Sequence, residues 1–175
     1  IRVLCPVPGY DRHFTICEQL GIELVTVPMG IDGPDMDAVE AAVTADPGIK
    51  GIWCVPKYSN PTGCVYSDET VARLARLPAL AGPGFRVLWD NAYAVHDLGE
   101  TPPELADIMQ LARDAGTEHG IAMFASTSKV TWAGAGVAFL AAGPATLAAF
   151  TNRLSAMMIG PDKVNQLRHA RAFPD

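Results

Sequence analysis

The chain has 175 residues, 49% of them hydrophobic, which is enough for one domain with a sizeable core and too few for two full ones. Thirteen basic against nineteen acidic side chains leave a net charge of −6 with no basic cluster, which excludes a nonspecific nucleic-acid surface. No apolar run approaches the length of a membrane span, and Ile1-Arg2-Val3-Leu4-Cys5 reads as a strand rather than a signal peptide.

The first β-type run, Arg2 to Cys5, leads through Pro8-Gly9-Tyr10-Asp11-Arg12-His13 into a helical pattern from Phe14 to Leu20. A strand over Glu23 to Val27 precedes a helix over Met36 to Ala45, with Asp35 as its N-cap. The next strand, Gly51 to Val55, runs into Asn60-Pro61-Thr62-Gly63, and Ser67 caps a helix over Asp68 to Arg76. A strand over Arg86 to Asp90 opens the run Asp90-Asn91-Ala92-Tyr93, and a helix follows over Leu105 to Ala115. A strand over Ile121 to Ala125 ends at Ser126-Thr127-Ser128-Lys129. Only eleven residues, Ser126 to Gly136, separate it from the last strand, Val137 to Ala142. No right-handed crossover fits there, so that strand is expected to run antiparallel. The tail from Pro144 reads as a helix, a break at Ile159-Gly160-Pro161-Asp162, and a second helix. The alternation predicts an α/β fold with a mostly parallel, mixed sheet sandwiched by helices. A chain that opens in a strand and stops at Phe173-Pro174-Asp175 is expected to be an excerpt of a longer protein.

Cys5, Cys17, Cys54 and Cys64 show no Cys-x-x-Cys spacing, and three of them sit in apolar or strand-like settings. Buried thiols in a reducing cytoplasm are the expectation. His96, His119 and His169 lack ligand spacing, so no metal site is expected.

In an open α/β sheet, ligands bind beyond the carboxyl ends of the strands, and Asn60, Asp90 and Lys129 each follow such an end. A lysine can hold a cofactor aldehyde as a Schiff base, a carboxylate can keep a pyridine nitrogen protonated, and an amide and a phenol can hydrogen-bond a ring oxygen. Taken singly, Asp90 reads equally as a cap and Asn60 as a turn residue before Pro61. Their order and spacing together point to a pyridoxal phosphate site. Lys129 lies between Ala122-Met123-Phe124-Ala125 and Trp132-Ala133-Gly134-Ala135-Gly136 with no other charge nearby, and apolar surroundings would favour the neutral amine that a Schiff base requires. Ser126 and Ser128 read either as phosphate donors or as small turn residues.

On these motifs the whole chain resembles the large, cofactor-binding domain of the fold-type I pyridoxal phosphate enzymes, class I/II aminotransferase superfamily. Pro56-Lys57-Tyr58-Ser59-Asn60-Pro61-Thr62-Gly63 and Ile159-Gly160-Pro161-Asp162-Lys163 are similar to the aspartate aminotransferases related to the MocR-like group. The resemblance implies residues 1–175 as one pyridoxal phosphate-binding domain, lacking an N-terminal segment and a C-terminal small domain. It implies Lys129 as the cofactor-bound lysine and proton shuttle, and Asp90 as the partner of the pyridine nitrogen. Asn60 and Tyr93 would hold the ring oxygen, Ser126 and Ser128 the phosphate. Tyr10 would stack on the ring, and His13 would support Asp90 from behind; for these two, a packed loop aromatic and a helix-cap histidine stay open. The family's usual phosphate-binding arginine, about eight residues after the lysine, is absent from Val130 to Leu140. The glycine-rich phosphate loop would precede Ile1, and the arginine for the substrate carboxylate would follow Asp175.

The implied activity is transfer of an amino group between an amino acid, with aspartate the subgroup's donor, and a 2-oxo acid such as 2-oxoglutarate, in a cytoplasmic homodimer. The break at residues 159–162 would then help complete the partner's site, or be an ordinary helix–helix turn. The same site could serve a lyase or decarboxylase, and the same fold a non-catalytic effector-sensing domain of a MocR-like transcription regulator.

Overall fold

The computed structural model describes residues 1–173; Pro174 and Asp175, on which part of the excerpt reading rests, lie outside the described residues. The elements are β1 (Arg2–Val7), α1 (Asp11–Gln19), β2 (Glu23–Gly30), β3 (Gly33–Pro34), α2 (Met36–Ala45), β4 (Ile49–Cys54), α3 (Asp68–Leu80), β5 (Arg86–Asp90), α4 (Ile108–Asp114), β6 (Ile121–Ser126), β7 (Ala138–Ala142), α5 (Pro144–Met157) and α6 (Lys163–Ala172). They form one seven-stranded sheet in the order β3-β2-β1-β4-β5-β6-β7. The five inner strands are parallel, and β3 and β7 add antiparallel edges. The antiparallel last strand expected from its short connection is found.

Strand alternation decides which side chains form the core. Leu4, Ile52, Cys54, Val87 and Trp89 point to the face covered by α2, α3 and α4, where they pack with Val39, Val43, Val71, Leu74 and Leu77. Trp53, between Ile52 and Cys54, points the other way and meets α1 through Cys17 and His13. By the same period, Leu88 and Asp90 lie on the α1 side of β5, where they are half-buried. No helix among the described residues is long and apolar enough to cross a membrane.

Several boundaries follow their caps. Asp35 accepts from Asp37 N and Ala38 N, both at 3.1 Å, and Ser67 accepts from Thr70 N at 3.3 Å, as expected for N-caps. Helix α4 starts at Ile108 rather than Leu105 because Asp107 caps it, accepting from Met109 N at 2.9 Å. Helix α1 starts at Asp11, three residues before the expected Phe14, with an acid in its first turn but no side-chain cap. Helix α3 runs through Pro78 to Leu80 instead of stopping at Arg76, since the fully buried Leu77 holds its last turn in the core. Strand β3 was not expected; two residues carry no periodic signal.

Candidate active site

The chain turns from β1 to β2 on one side and from β4 to β5 on the other, so the order of strands reverses between β1 and β4. A crevice opens at the carboxyl ends of the strands beside such a reversal. The segments at the carboxyl ends of β1, β4, β5 and β6 carry the proposed cofactor-binding residues, with His13 in the first turn of α1.

His13, 8% exposed, stacks on Trp53 with centroids 4.4 Å apart and planes 6° from parallel. Its Nε2 lies 3.6 Å from Asp90 Oδ2, an electrostatic contact slightly beyond hydrogen-bond length. Tyr10 presents an edge-on contact to His13 at 5.6 Å. Lys129 Nζ sits 5.6 Å from the Tyr10 ring centroid and 4.1 Å from that of Tyr93. The ring faces attract the ammonium through their quadrupoles. Asp90, His13, Tyr10, Lys129 and Tyr93 therefore form one continuous chain of contacts across three loops.

The expected apolar enclosure of Lys129 is not found. The lysine is exposed, with Val130 45% and Trp132 50% exposed beside it. A turn at the sheet edge directs its flanks outward, so the amine's apolar neighbours are the rings of Tyr10 and Tyr93 rather than the adjacent sequence.

Ser126 and Ser128 belong to that turn. Ser128 N donates to Ser126 Oγ at 3.4 Å, and Thr127 N donates to Val137 O at 3.0 Å, closing the turn at its base. Gly136 passes so close that a Cβ there would lie 2.6 Å from Ser128 N. Only glycine fits at that approach. Asn60 is half-buried and joined to Pro61 by a cis peptide bond, in a loop tied by Ser59 N to Cys64 O at 2.9 Å.

Residues that sequence reasoning passed over connect these loops. Asp97 Oδ1 lies 2.7 Å from Lys57 Nζ and accepts from the Tyr58 hydroxyl at 2.7 Å. Tyr58 holds a left-handed backbone, φ 52°, beside Ser59 and Asn60. The hydrogen bonds from Lys57, then Tyr58, hold the Asp97 carboxyl below its usual range, and the same contact raises the Tyr58 phenol. His96 Nε2 donates to Lys129 O at 3.2 Å, since a carbonyl can only accept, and its buried Nδ1 has no partner among the described residues. Only the position of His96 and Asp97 three and four residues after Tyr93 could have drawn notice.

The family model for aspartate amino-transferase matches residues 1–175. An aspartate aminotransferase of Corynebacterium glutamicum is 50% identical over 175 residues, covering 100% of this chain and 40% of the relative. The crystal structure of an aspartate transaminase from Corynebacterium glutamicum superposes with a TM-score of 0.93 at 50% identity, over 100% of this chain and 41% of its own. An α-aminoadipate aminotransferase from Thermus thermophilus, solved with N-(5'-phosphopyridoxyl)-L-leucine, gives a TM-score of 0.79 at 29% identity, over 94% of this chain and 41% of its own. The chain thus spans about two-fifths of the length of these proteins.

Proposed function

The chain belongs to the aspartate amino-transferase family, and from that premise we propose that it is the cofactor-binding domain of a pyridoxal phosphate-dependent transaminase that takes aspartate as donor and 2-oxoglutarate as acceptor. The observation that carries the reading is the Lys129 amine held between the rings of Tyr10 and Tyr93, at the same sheet edge as the Asp90–His13 pair. These groups match pyridoxal 5'-phosphate in kind: a reachable amine, a carboxylate with a histidine behind it, an amide, a phenol, and two serines in a tight turn. When bound, the cofactor supplies an aldehyde for the lysine and an aromatic ring that acts as an electron sink.

Asp90 would keep the ring nitrogen protonated, with His13 steadying the carboxylate. Asn60 and Tyr93 would hydrogen-bond the ring oxygen, and Tyr10 would pack against the ring. Ser126 and Ser128 hold the phosphate in the absence of an arginine between Val130 and Leu140. Lys129 Nζ would accept the proton removed from the substrate's α-carbon. The full-length protein would work as a homodimer, in which residues 159–162 approach the partner's site.

Borohydride reduction of the loaded full-length protein, followed by peptide mapping, is expected to put the label on Lys129. A label on Lys50, Lys57 or Lys163 instead would overturn the assignment. Titration with an amino-acid panel, with and without 2-oxoglutarate, should change the bound-cofactor absorbance with aspartate and restore it with the 2-oxo acid. Release of ammonia independent of any 2-oxo acid would point to lyase chemistry and sink transamination.

A further inference from the structure

Helix α6 buries a single side chain, His169, which is 7% exposed. Its Nε2 lies 2.8 Å from Thr127 Oγ1 and 2.9 Å from Thr131 Oγ1, and its Nδ1 lies 2.9 Å from Asn165 O. The two threonines stand two residues before and two after Lys129. Trp132 packs edge-on against the imidazole at 5.6 Å, and Phe173 lies tilted against it at 6.4 Å.

Asn165 O can only accept, so Nδ1 carries a hydrogen there. Nε2 lies within hydrogen-bond distance of both threonine hydroxyls, while Thr127 Oγ1 also accepts from Val137 N at 2.8 Å and Thr131 Oγ1 donates to Thr127 O at 3.0 Å. Thr127 is tied to Val137, just before β7, by its backbone N–H and its hydroxyl oxygen, to Thr131 by its carbonyl, and to His169 of α6 through its hydroxyl. Asn165 Nδ2 adds a second link from α6, to Gly136 O at 3.4 Å.

We propose that His169 is a positioning residue for Lys129, fixing through the Thr127 hydroxyl the turn from which the lysine reaches the cofactor; what it positions Lys129 for rests on the transaminase reading. The exposed turn has little apolar burial to hold it, so side-chain hydrogen bonds must set its geometry. The enclosed His169 ring joins the turn to α6 beside the weaker Asn165 link to Gly136.

The test compares His169→Gln, whose amide reaches the position of Nε2, with His169→Asn, whose amide reaches only that of Nδ1. In the full-length protein without cofactor, amide hydrogen exchange at residues 127–131 should quicken about tenfold in His169→Asn and stay near wild type in His169→Gln, the loss expected of one buried hydrogen bond. The rate at which Lys129 captures added pyridoxal 5'-phosphate, read by absorbance, should follow the same order. Unchanged exchange in a folded His169→Asn protein overturns the proposal, as does equal loss in both variants together with an equal fall in melting temperature. If His169→Asn does not fold, His169→Phe, which keeps a ring there without a nitrogen to bond the hydroxyls, takes its place in the comparison. Because exchange is measured without cofactor, failure of the wild type to capture the cofactor would count against the transaminase reading and leave the brace to be judged on exchange alone.

Discussion

Asp90 reaches the open side of the sheet because Val87 and Trp89, one residue out of phase with it, take the core side of β5. Its half-buried carboxylate, with His13 Nε2 3.6 Å from Oδ2, is suited to face a cation in a partly desolvated site. Replacing the charge while keeping the shape isolates its electrostatic contribution. Asp90→Asn is expected to retain some cofactor yet lower kcat about 100- to 1000-fold, the scale of losing one preorganised electrostatic contact. Turnover close to wild type would remove Asp90 from the mechanism.

At the scale of elements, α3 and the strand entry to β6 meet through a proline and a glycine. A Cβ at Gly120 would collide with the ring of Pro78, and neither the rigid pyrrolidine nor the buried Leu77 beside it can move aside. Gly120→Ala should therefore destabilise the fold by about 1–3 kcal/mol through overpacking. A denaturant midpoint unchanged from wild type would show that α3 yields. The loops after β4 and β5 are joined differently, by Asp97 against Lys57 and Tyr58. Asp97→Ala should loosen the loop bearing Asn60 and speed cofactor loss on dialysis without changing the melting profile of the core. Retention equal to wild type would mean that Asn60 is held by its own loop.

For the molecule as a whole, burial ties stability to pH. All four cysteines are free and buried. Burial, with Cys17 adding to it, pushes the Cys5 thiol from 9.0 up to about 12, and burial moves Cys54 upward as well. An acid whose pKa rises on folding keeps its proton in the native state while the unfolded chain gives it up. This contribution is complete below pH 9.0 and is lost as the pH climbs toward about 12. The urea midpoint, measured with reductant present, should fall steadily across that interval; a flat profile would contradict the burial of these thiols. The outer surface carries a second expectation. Phe139 (56% exposed) on β7, Met157 (82%) at the end of α5 and Ile159 (110%) in the break before α6 are exposed apolar side chains. In the proposed homodimer, Ile159→Asp should weaken association about tenfold or more by sedimentation, as loss of an interface anchor does. An unchanged dissociation constant would leave the break as an ordinary turn.

Local signals determined most elements and the edge on which the site lies. The run Arg86 to Asp90 and the Asp35-capped helix from Met36 to Ala45 are read from sequence to the residue, because alternation, caps and turn chemistry act within a few positions. Strand ends in the sequence also singled out Asn60, Asp90 and Lys129 as candidates for one site. Tertiary structure alone decided that α3 continues past Pro78, that two residues after Gly30 pair as β3, and that Lys129 lies exposed between Tyr10 and Tyr93 despite its apolar flanks. It alone joined Tyr58 to Asp97 across 39 positions and His169 to Thr127 across 42. No short-range preference encodes such pairs: they exist only once packing has set the strand order that brings distant loops to one edge.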